Sequence, residues 1–330
     1  MKKLFNILLV LVLVCSFNLG AALPVSAEEI EPPEGINWDD WDIEDGTIYG
    51  YYGDETEITV PAVDQYGVPV TELYSSVFMD NTTVKKIVVS EGIEMIGGQC
   101  FRGCTALEEC VLPQSVNTFT WGVNFSDCTN LKKVNLPAAL EEIPLSTFSG
   151  CRSLSEIIIT YGIKRIQPHA FCDTQLKRVV LPETVEQVTS RAFSNLRTEG
   201  EFELIICNPN CELGGAYNDE GVEVNLLGAR NEIECRVIGH ENSTAAEFYA
   251  QEGILPETKF VAKSAEYFEN LPENQVGYGV DIDGDADSIL LWIIIAAAAV
   301  VVLAAGAVVI VIVIKKTKSN DEDEDLETEE

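Results

Sequence analysis

Large apolar residues recur along the middle of the chain at a nearly constant interval. Six phenylalanines are separated by steps of 23, 24, 23, 23 and 22 residues: Phe78, Phe101, Phe125, Phe148, Phe171 and Phe193. After three of them the same phrase follows, a cysteine three residues on and a leucine three residues later, as in Phe101, Cys104 and Leu107. A unit this short cannot bury its own apolar side, so such units stack and share one interior. The pattern predicts a solenoid.

Each repeat also carries a short apolar triplet that predicts a parallel strand. The triplets occupy 87–89, 110–112, 134–136, 157–159 and 179–181, and a proline closes three of them, at Pro113, Pro137 and Pro182. β-Branched triplets suit strands, and a proline ends further pairing. The residues before the triplets alternate in charge: Lys86, Glu109, Lys133, Glu156 and Arg178. Parallel strands stacked ~4.8 Å apart would set each charge beside opposite ones.

The amino-terminal segment has the pattern of a secretory signal peptide. Lys2 and Lys3 precede an apolar run to about Val14. The small residues at Val25-Ser26-Ala27 match a signal-peptidase cleavage site, so the mature chain is expected to start at Glu28. A first membrane helix is the alternative reading, but Ser16, Asn18 and Gly20 interrupt the run. The segment 1–27 is therefore expected to be removed on export.

Near the other end, residues 289–314 carry no charge and predict a transmembrane helix. Its 26 residues would span roughly 39 Å, enough for a ~30 Å hydrocarbon core with some tilt. Three lysines follow within four residues, whereas four aspartates precede, at 281, 283, 285 and 287. Basic residues stay on the cytoplasmic side, so we expect a single-pass plasma-membrane protein with its amino-terminal domain outside and the acidic tail 315–330 inside.

The net charge of −33 is unevenly distributed and limits the kinds of partner. Residues 28–77 contain 14 acids and no bases, whereas 78–198 contain 12 of each. Such a chain is not expected to bind nucleic acid. The acidity favours solubility and repulsion between copies over a site for a specific ligand.

The repeat phrase resembles the BspA-like leucine-rich repeat. The likeness rests on Ala170-Phe171, the Phe-x-x-Cys-x-x-Leu blocks and the Leu-Pro after a strand, and it extends over about 46–253. It implies a β-rich curved solenoid on a cell surface that serves adhesion and binding. The predicted parts are a signal peptide (1–27), an acidic lead-in and cap (28–77), leucine-rich repeats (78–198), an irregular repeat and cap (199–260), an acidic linker (261–288), the membrane helix (289–314) and the tail (315–330).

Nine cysteines remain after the signal peptide. Cys104, Cys128 and Cys151 share one repeat position and are expected to be reduced core residues, because free cysteine behaves as a small apolar residue. Cys207 and Cys211 form the best candidate for a disulfide, with two core thiols as the alternative. No metal site is expected, since paired Cys-x-x-Cys elements are missing from the sequence.

Catalytic motifs are not evident in the sequence. His169 and His240 are the two histidines, and neither lies near a nucleophile in a recognisable motif. The aspartates from 281 to 287 alternate like a calcium loop, but Trp292 occupies the position where a bidentate glutamate is required. We therefore expect no enzyme activity and no cofactor.

Three tryptophans are candidate binding residues. The third repeat is one residue longer, and its extra loop contains Trp121. An aromatic anchor at the rim of a solenoid suits a protein or glycan partner, whereas folding over the local core is the alternative. Trp38 and Trp41, among acids near the amino terminus, are similar candidates.

The sequence thus predicts a membrane-anchored binding or adhesion protein that presents its repeat surface to an extracellular protein, matrix or glycan. The alternative is a structural envelope protein that spaces or shields the surface without a specific ligand.

Overall fold

A computed structural model describes residues 36–214, 233–250 and 258–272. The elements are mostly very short strands, as expected for repeats of about 23 residues. The strands are β1 (Trp41–Glu44), β2 (Thr47–Tyr51), β3 (Glu57–Val60), β4 (Glu72–Leu73), β5 (Lys86–Val89), β6 (Met95–Ile96), β7 (Glu109–Val111), β8 (Thr118–Phe119), β9 (Lys133–Val134), β10 (Glu142–Ile143), β11 (Arg165–Ile166), β12 (Arg178–Leu181), β13 (Gln187–Val188), β14 (Phe202–Ile206), β15 (Glu212–Leu213), β16 (Cys235–His240) and β17 (Thr258–Lys263). The helices are a 3-10 turn (Trp38–Asp40), α1 (Thr244–Tyr249) and α2 (Ala265–Glu269).

Strands from successive repeats pair in parallel and form two ladders, so the predicted solenoid is confirmed. Ladder 1 contains two sheets, β3-β5-β7-β9 and β12-β14-β16-β17. Ladder 2 contains β2-β4-β6-β8, with β1 added antiparallel to β2, and then β10-β11-β13-β15. The predicted register is also found, because Lys86 pairs with Glu109 and Glu109 pairs with Lys133. The Lys86 Nζ lies 3.2 Å from the Glu109 carboxylate.

A column of stacked phenylalanine rings fills the interior. The six recurring phenylalanines are at most 2% exposed. The five distances between the centroids of neighbouring rings are 5.4, 4.7, 5.4, 5.5 and 5.2 Å, and the planes of neighbouring rings lie within 13° of parallel. Tyr51 extends the column at its amino-terminal end, and Phe202 extends it at the other. Since the rings belong to successive turns of the solenoid, the interior is continuous from turn to turn.

Ladder 1 is interrupted at the predicted strand 157–159, which the structure does not form. The preceding turn contains Asn135, whose carboxamide takes over the role of a main-chain partner. Its Oδ1 accepts the Leu112 N–H at 2.8 Å, and its Nδ2 donates to the Leu112 carbonyl at 2.7 Å. β9 has only two residues, and the next triplet is without strand pairing, although Ile159 is still buried.

Beyond Phe193 the solenoid continues with a longer turn. Arg178 pairs with Glu203 and Gln187 with Glu212, so both ladders advance by 25 residues there. This stretch belongs to the region expected to be irregular. β17 crosses from the predicted cap, which ends at 260, into the predicted linker (261–288), and α2 lies within that predicted linker. α2 places Phe268 against Val180, Ile205 and Ile238 on the outer face of ladder 1, which buries a second, small apolar cluster.

Within 36–214, 233–250 and 258–272, no helix combines the length and apolar character that a membrane crossing requires. The predicted signal peptide (1–27), the aspartate stretch 281–287, the transmembrane helix (289–314) and the tail (315–330) lie outside the described residues. These assignments remain predictions.

Candidate binding surface

Each repeat turns the chain at a corner built from two left-handed residues. The first of these positions is occupied by Ser76, Gln99, Val123, Ser146, His169 and Arg191, and the second by Asp80, Gly103, Asp127, Gly150, Asp173 and Asn195, all with positive φ. Glycine, aspartate and asparagine tolerate this conformation, and they fill the second column throughout. Main-chain hydrogen bonds then join neighbouring corners, for example from Phe101 N to the Asn124 carbonyl at 2.8 Å. The corners therefore stack as regularly as the strands.

The repeated cysteines support these corners from inside. Cys104, Cys128 and Cys151 are buried, and each thiol donates to the carbonyl of a phenylalanine in the preceding turn, over 3.0–3.1 Å. Burial raises the pKa of the Cys151 thiol far above its usual value. A thiol that stays protonated is not a nucleophile. These cysteines are therefore packing and hydrogen-bonding residues.

The longer third repeat breaks ladder 2 between β8 and β10. In neighbouring turns, the residue after the strand donates its N–H to the turn before: Gly97 to Leu73 at 2.7 Å and Thr120 to Ile96 at 2.9 Å. The equivalent residue after β10 is Pro144, which has no N–H. The loop 120–123 occupies the gap instead, and the Val123 N–H donates to the Leu145 carbonyl at 2.8 Å.

This loop holds three consecutive residues in the left-handed region, with φ of 59° at Trp121, 74° at Gly122 and 61° at Val123. The conformation is unfavourable for tryptophan and more so for the β-branched valine. A Cβ on Gly122 would lie 2.5 Å from the Leu145 carbonyl oxygen, so glycine is required there. The buried Asn124 holds the end of the loop through a 2.8 Å hydrogen bond to the Gly97 carbonyl. Surrounding structure therefore maintains a strained loop.

Trp121 projects from this loop with 90% of its surface exposed. The alternative reading, in which the indole folds over the local core, is therefore not found. Its Cβ lies above Gly98, where an added Cβ would come within 2.8 Å. Since burial of a large side chain is worth about 2–3 kcal/mol, a fully displayed indole is unusual unless something else covers it.

Two other exposed rings belong to ladder 2. Tyr49 lies within β2 and Tyr74 directly follows β4, in register with each other, and their ring centroids are 5.1 Å apart. We call Tyr49, Tyr74, Gly97, Gly98 and Trp121 the aromatic edge. In the described residues, every exposed large apolar side chain lies between 49 and 158: Tyr49, Tyr52, Tyr66, Val68, Tyr74, Met79, Trp121, Leu145 and Ile158. Trp121 was predicted from the sequence, whereas Tyr49 and Tyr74 were not; their signal is a shared position directly after a buried apolar residue, Ile48 or Leu73.

Trp38 and Trp41, the other two candidates, lie at the amino-terminal end. Trp41 begins β1, and its ring packs 4.7 Å from that of Tyr51 and 6.1 Å from that of Phe78. It thus closes the phenylalanine column. Trp38 lies in the 3-10 turn and is half-buried. Neither is brought together with Trp121 as one surface.

Cys207 and Cys211 are free thiols in the structure. Cys207 packs in the small cluster under α2, whereas Cys211 belongs to the main interior. Burial raises the pKa of each to about 12. The two side chains therefore serve different apolar clusters, which is the alternative to a disulfide.

The two histidines, His169 and His240, have different structural roles. His169 occupies a left-handed corner, and burial together with Arg191 lowers its pKa. His240 stacks on Phe268 at 3.8 Å, and its Nε2 lies 2.8 Å from the Cys207 carbonyl oxygen. Among the described residues, no group of three or more His, Cys, Asp or Glu side chains is arranged to hold a metal ion.

Comparison with known proteins agrees with this geometry. A family model described as "BspA type Leucine rich repeat region" matches residues 71–199 in six copies, and this confirms the resemblance noted from the repeat phrase. No curated protein sequence matches the chain.

Several solved structures are similar in fold. A leucine-rich repeat protein of T. pallidum is 20% identical, with 68% of this chain and 96% of that one covered and a TM-score of 0.47. A leucine-rich cell surface protein of Faecalibacterium prausnitzii is 13% identical (76% and 100% covered, TM-score 0.36). The pneumococcal vaccine antigen PcpA is 16% identical (68% and 48% covered, TM-score 0.39). The repeat assignment rests on the family match and the ladders rather than on these overall similarities.

Proposed function

We propose that this chain, whose residues 71–199 belong to the BspA-type leucine-rich repeats, is a membrane-anchored surface protein that binds an extracellular partner and carries out no catalysis. Leucine-rich repeat proteins of this type are generally binding or adhesion proteins. The charge distribution around residues 289–314 supports an anchor with the repeats outside the cell. The ligand would be a protein, a matrix component or a glycan.

One observation carries the proposal: among the described residues, the exposed large apolar side chains all lie between 49 and 158. Five of the nine are aromatic, and in the described residues beyond 158 none occurs. Aromatic residues supply much of the energy of interfaces. A repeat scaffold that exposes aromatic side chains in one region is suited to binding a partner. A spacer would not need exposed aromatic side chains concentrated in one part of the solenoid.

Surface display of the full chain tests this proposal. Cells that carry it should attach to at least one of a panel of matrix proteins, host cells and neighbouring bacteria, whereas cells without it should not. The triple variant Tyr49→Ala, Tyr74→Ala, Trp121→Ala should lose attachment at equal surface expression. A spacer would give equal attachment with and without these side chains, and that result would contradict the binding proposal.

A further inference from the structure

We propose that the aromatic edge binds a neutral glycan chain, with Tyr74 and Trp121 each stacking against a sugar ring. This inference rests on the proposed binding function and names the class of its ligand. It follows from the spacing of the two rings, the bare backbone between them, the fixed loop under Trp121 and the charge nearby.

The spacing is set by ladder 2. Tyr74 follows β4, and Trp121 lies one residue beyond the equivalent position after β8, two strands further along. With ~4.8 Å between neighbouring parallel strands, the two positions are about 10 Å apart along the solenoid axis. This is close to the length of a disaccharide unit. A glycan that lies along the axis can therefore contact both rings, and Tyr49, in register with Tyr74, adds a third contact.

The turn between the two rings contributes no side chain. It carries Gly97 and Gly98, and neither position has room for one. A Cβ on Gly97 would lie 2.4 Å from the Ser75 nitrogen, and a Cβ on Gly98 would lie 2.8 Å from the Trp121 Cβ. Neighbouring turns thus approach each other through bare backbone. A flat ligand can cross from Tyr74 to Trp121 without meeting a side chain of this turn.

Trp121 is held ready for a ligand. Its loop is fixed by the Gly122 N–H donating to the Thr120 carbonyl at 2.7 Å and by the bond from Val123 to Leu145. The left-handed backbone of residues 121–123 is strained, and strain of this kind is maintained at sites where a side chain must be presented. Because the loop is already ordered, a ligand does not have to order it on binding.

The chemistry of the edge suits sugars better than a protein or a polyanion. The negative face of an aromatic ring attracts the C–H groups on the apolar face of a pyranose. Sugar hydroxyls also need polar partners. The exposed Asn117 and the half-buried Thr118, which donates its hydroxyl to the Asn117 Oδ1 at 2.7 Å, lie at the start of β8, before Trp121. The Tyr49–Tyr74 pair and the Trp121 ring, separated by the backbone of Gly97 and Gly98, differ from the contiguous apolar centre of a protein interface. Residues 28–77 contain no base, and Glu72 directly precedes Leu73 and Tyr74, so sulfated or carboxylated glycans are repelled.

The test uses the purified full chain with defined probes. Cellohexaose, mannohexaose and laminarihexaose represent neutral chains, and heparin represents a polyanion. Binding is measured by calorimetry and by the change in tryptophan fluorescence, since an exposed indole changes its emission when a sugar covers it. We expect at least one neutral hexasaccharide to bind and heparin not to bind.

Matched variants locate the site. Trp121→Ala should lower the affinity at least about tenfold, and Trp121→Tyr, which keeps a flat ring, should retain most of it. Tyr74→Ala should weaken binding as well. Ile158→Ala removes an exposed apolar side chain of the triplet 157–159, outside ladder 2, and should leave the affinity unchanged. Since Trp121 is exposed, circular dichroism should show an unaltered fold.

Two results would overturn the inference: no neutral hexasaccharide binds, or one binds equally well to Trp121→Ala. If cells carrying the chain nevertheless attach to a protein-coated surface, the glycan inference fails and the proposed binding function stands. If they attach to no surface, both fail.

Discussion

Phe101 and Phe125 stack in the interior with their ring centroids 4.7 Å apart and their planes 13° from parallel, and both rings are fully buried. Each ring therefore has the neighbouring turns as its environment, and removal of one leaves a cavity between two turns. We expect Phe125→Ala to lower the free energy of unfolding by about 3–5 kcal/mol.

Urea unfolding followed by circular dichroism measures this loss. Leu145→Ala, at a half-exposed position directly before the next corner, serves as the control and should change stability by less than about 0.5 kcal/mol. A loss below about 1 kcal/mol for Phe125→Ala would show that the ring does not belong to a continuous column.

The side chain of Asn135 acts as a substitute for main-chain pairing. It bonds both polar groups of Leu112, in a half-buried setting. Asn135→Ala leaves those groups without partners, and the expected cost is about 1–3 kcal/mol. Asn130 offers a matched control, because its Nδ2 also donates to a main-chain carbonyl, that of Thr105 at 2.8 Å, but in an exposed position. Thermal unfolding should show Asn130→Ala to be clearly less harmful, and equal losses would argue against the special role of Asn135.

The sequence predicted the features that depend on periodicity. The interval between phenylalanines gave the interior column, and the alternation of Lys86, Glu109 and Lys133 gave the register of ladder 1. Both follow from stacking, because equivalent positions of successive repeats become neighbours and every repeat must satisfy the same packing.

The interruptions were not predicted, because each depends on one side chain or one missing proton. Asn135 was visible within a predicted strand triplet and Pro144 directly after Ile143, yet their effect required the partner atoms to be placed. The extra residue in the third repeat predicted a loop at Trp121 but not which way the indole would point. The region from 199 was predicted to be irregular, but the sequence did not show that Phe202, only nine residues after Phe193, takes the next position in the ring column.

Val123 stores strain that a substitution can relieve. It is a β-branched residue at φ 61°, whereas the equivalent corner of the next repeat has Ser146 at φ 54°. Asparagine tolerates this conformation, so Val123→Asn should raise the free energy of unfolding by about 1 kcal/mol. The reciprocal change Ser146→Val should lower it by a similar amount. Chemical denaturation of both variants tests the point, and a stabilising Ser146→Val would refute it.

The thiols provide a direct count. In the described residues all nine cysteines from Cys100 to Cys235 are thiols rather than disulfides, and eight of them are buried, whereas Cys172 is half-buried. Denatured without reductant, the mature chain should therefore react with nine equivalents of a thiol reagent. A bond between Cys207 and Cys211 would leave seven. In the native protein, peptide mapping should show Cys172 labelled first, because the other eight are shielded from solvent.

Buried thiols also make stability depend on alkaline pH. Burial raises the pKa of Cys211 from 9.0 to about 12. The folded state therefore keeps this proton in a range where the unfolded chain releases it. Its contribution to stability is complete below pH 9 and is lost as the pH rises towards 12, by at most about 1.4 kcal/mol per pH unit.

Cys211→Ala removes that proton. Between pH 8.5 and 10.5 the free energy of unfolding of the variant should fall by about 2 kcal/mol less than that of the parent chain, although the variant starts less stable because of the cavity. Val185→Ala removes apolar atoms from the same interior but no titrating group. It should therefore lower the free energy of unfolding, relative to the parent chain, by the same amount at pH 8.5 and at pH 10.5. Urea unfolding of the three proteins at pH 8.5 and 10.5 separates the two effects. If the free energy of unfolding falls by the same amount between these pH values in Cys211→Ala and in the parent, the thiol is not shielded from water. Cys211 would then have to lie outside the shared interior.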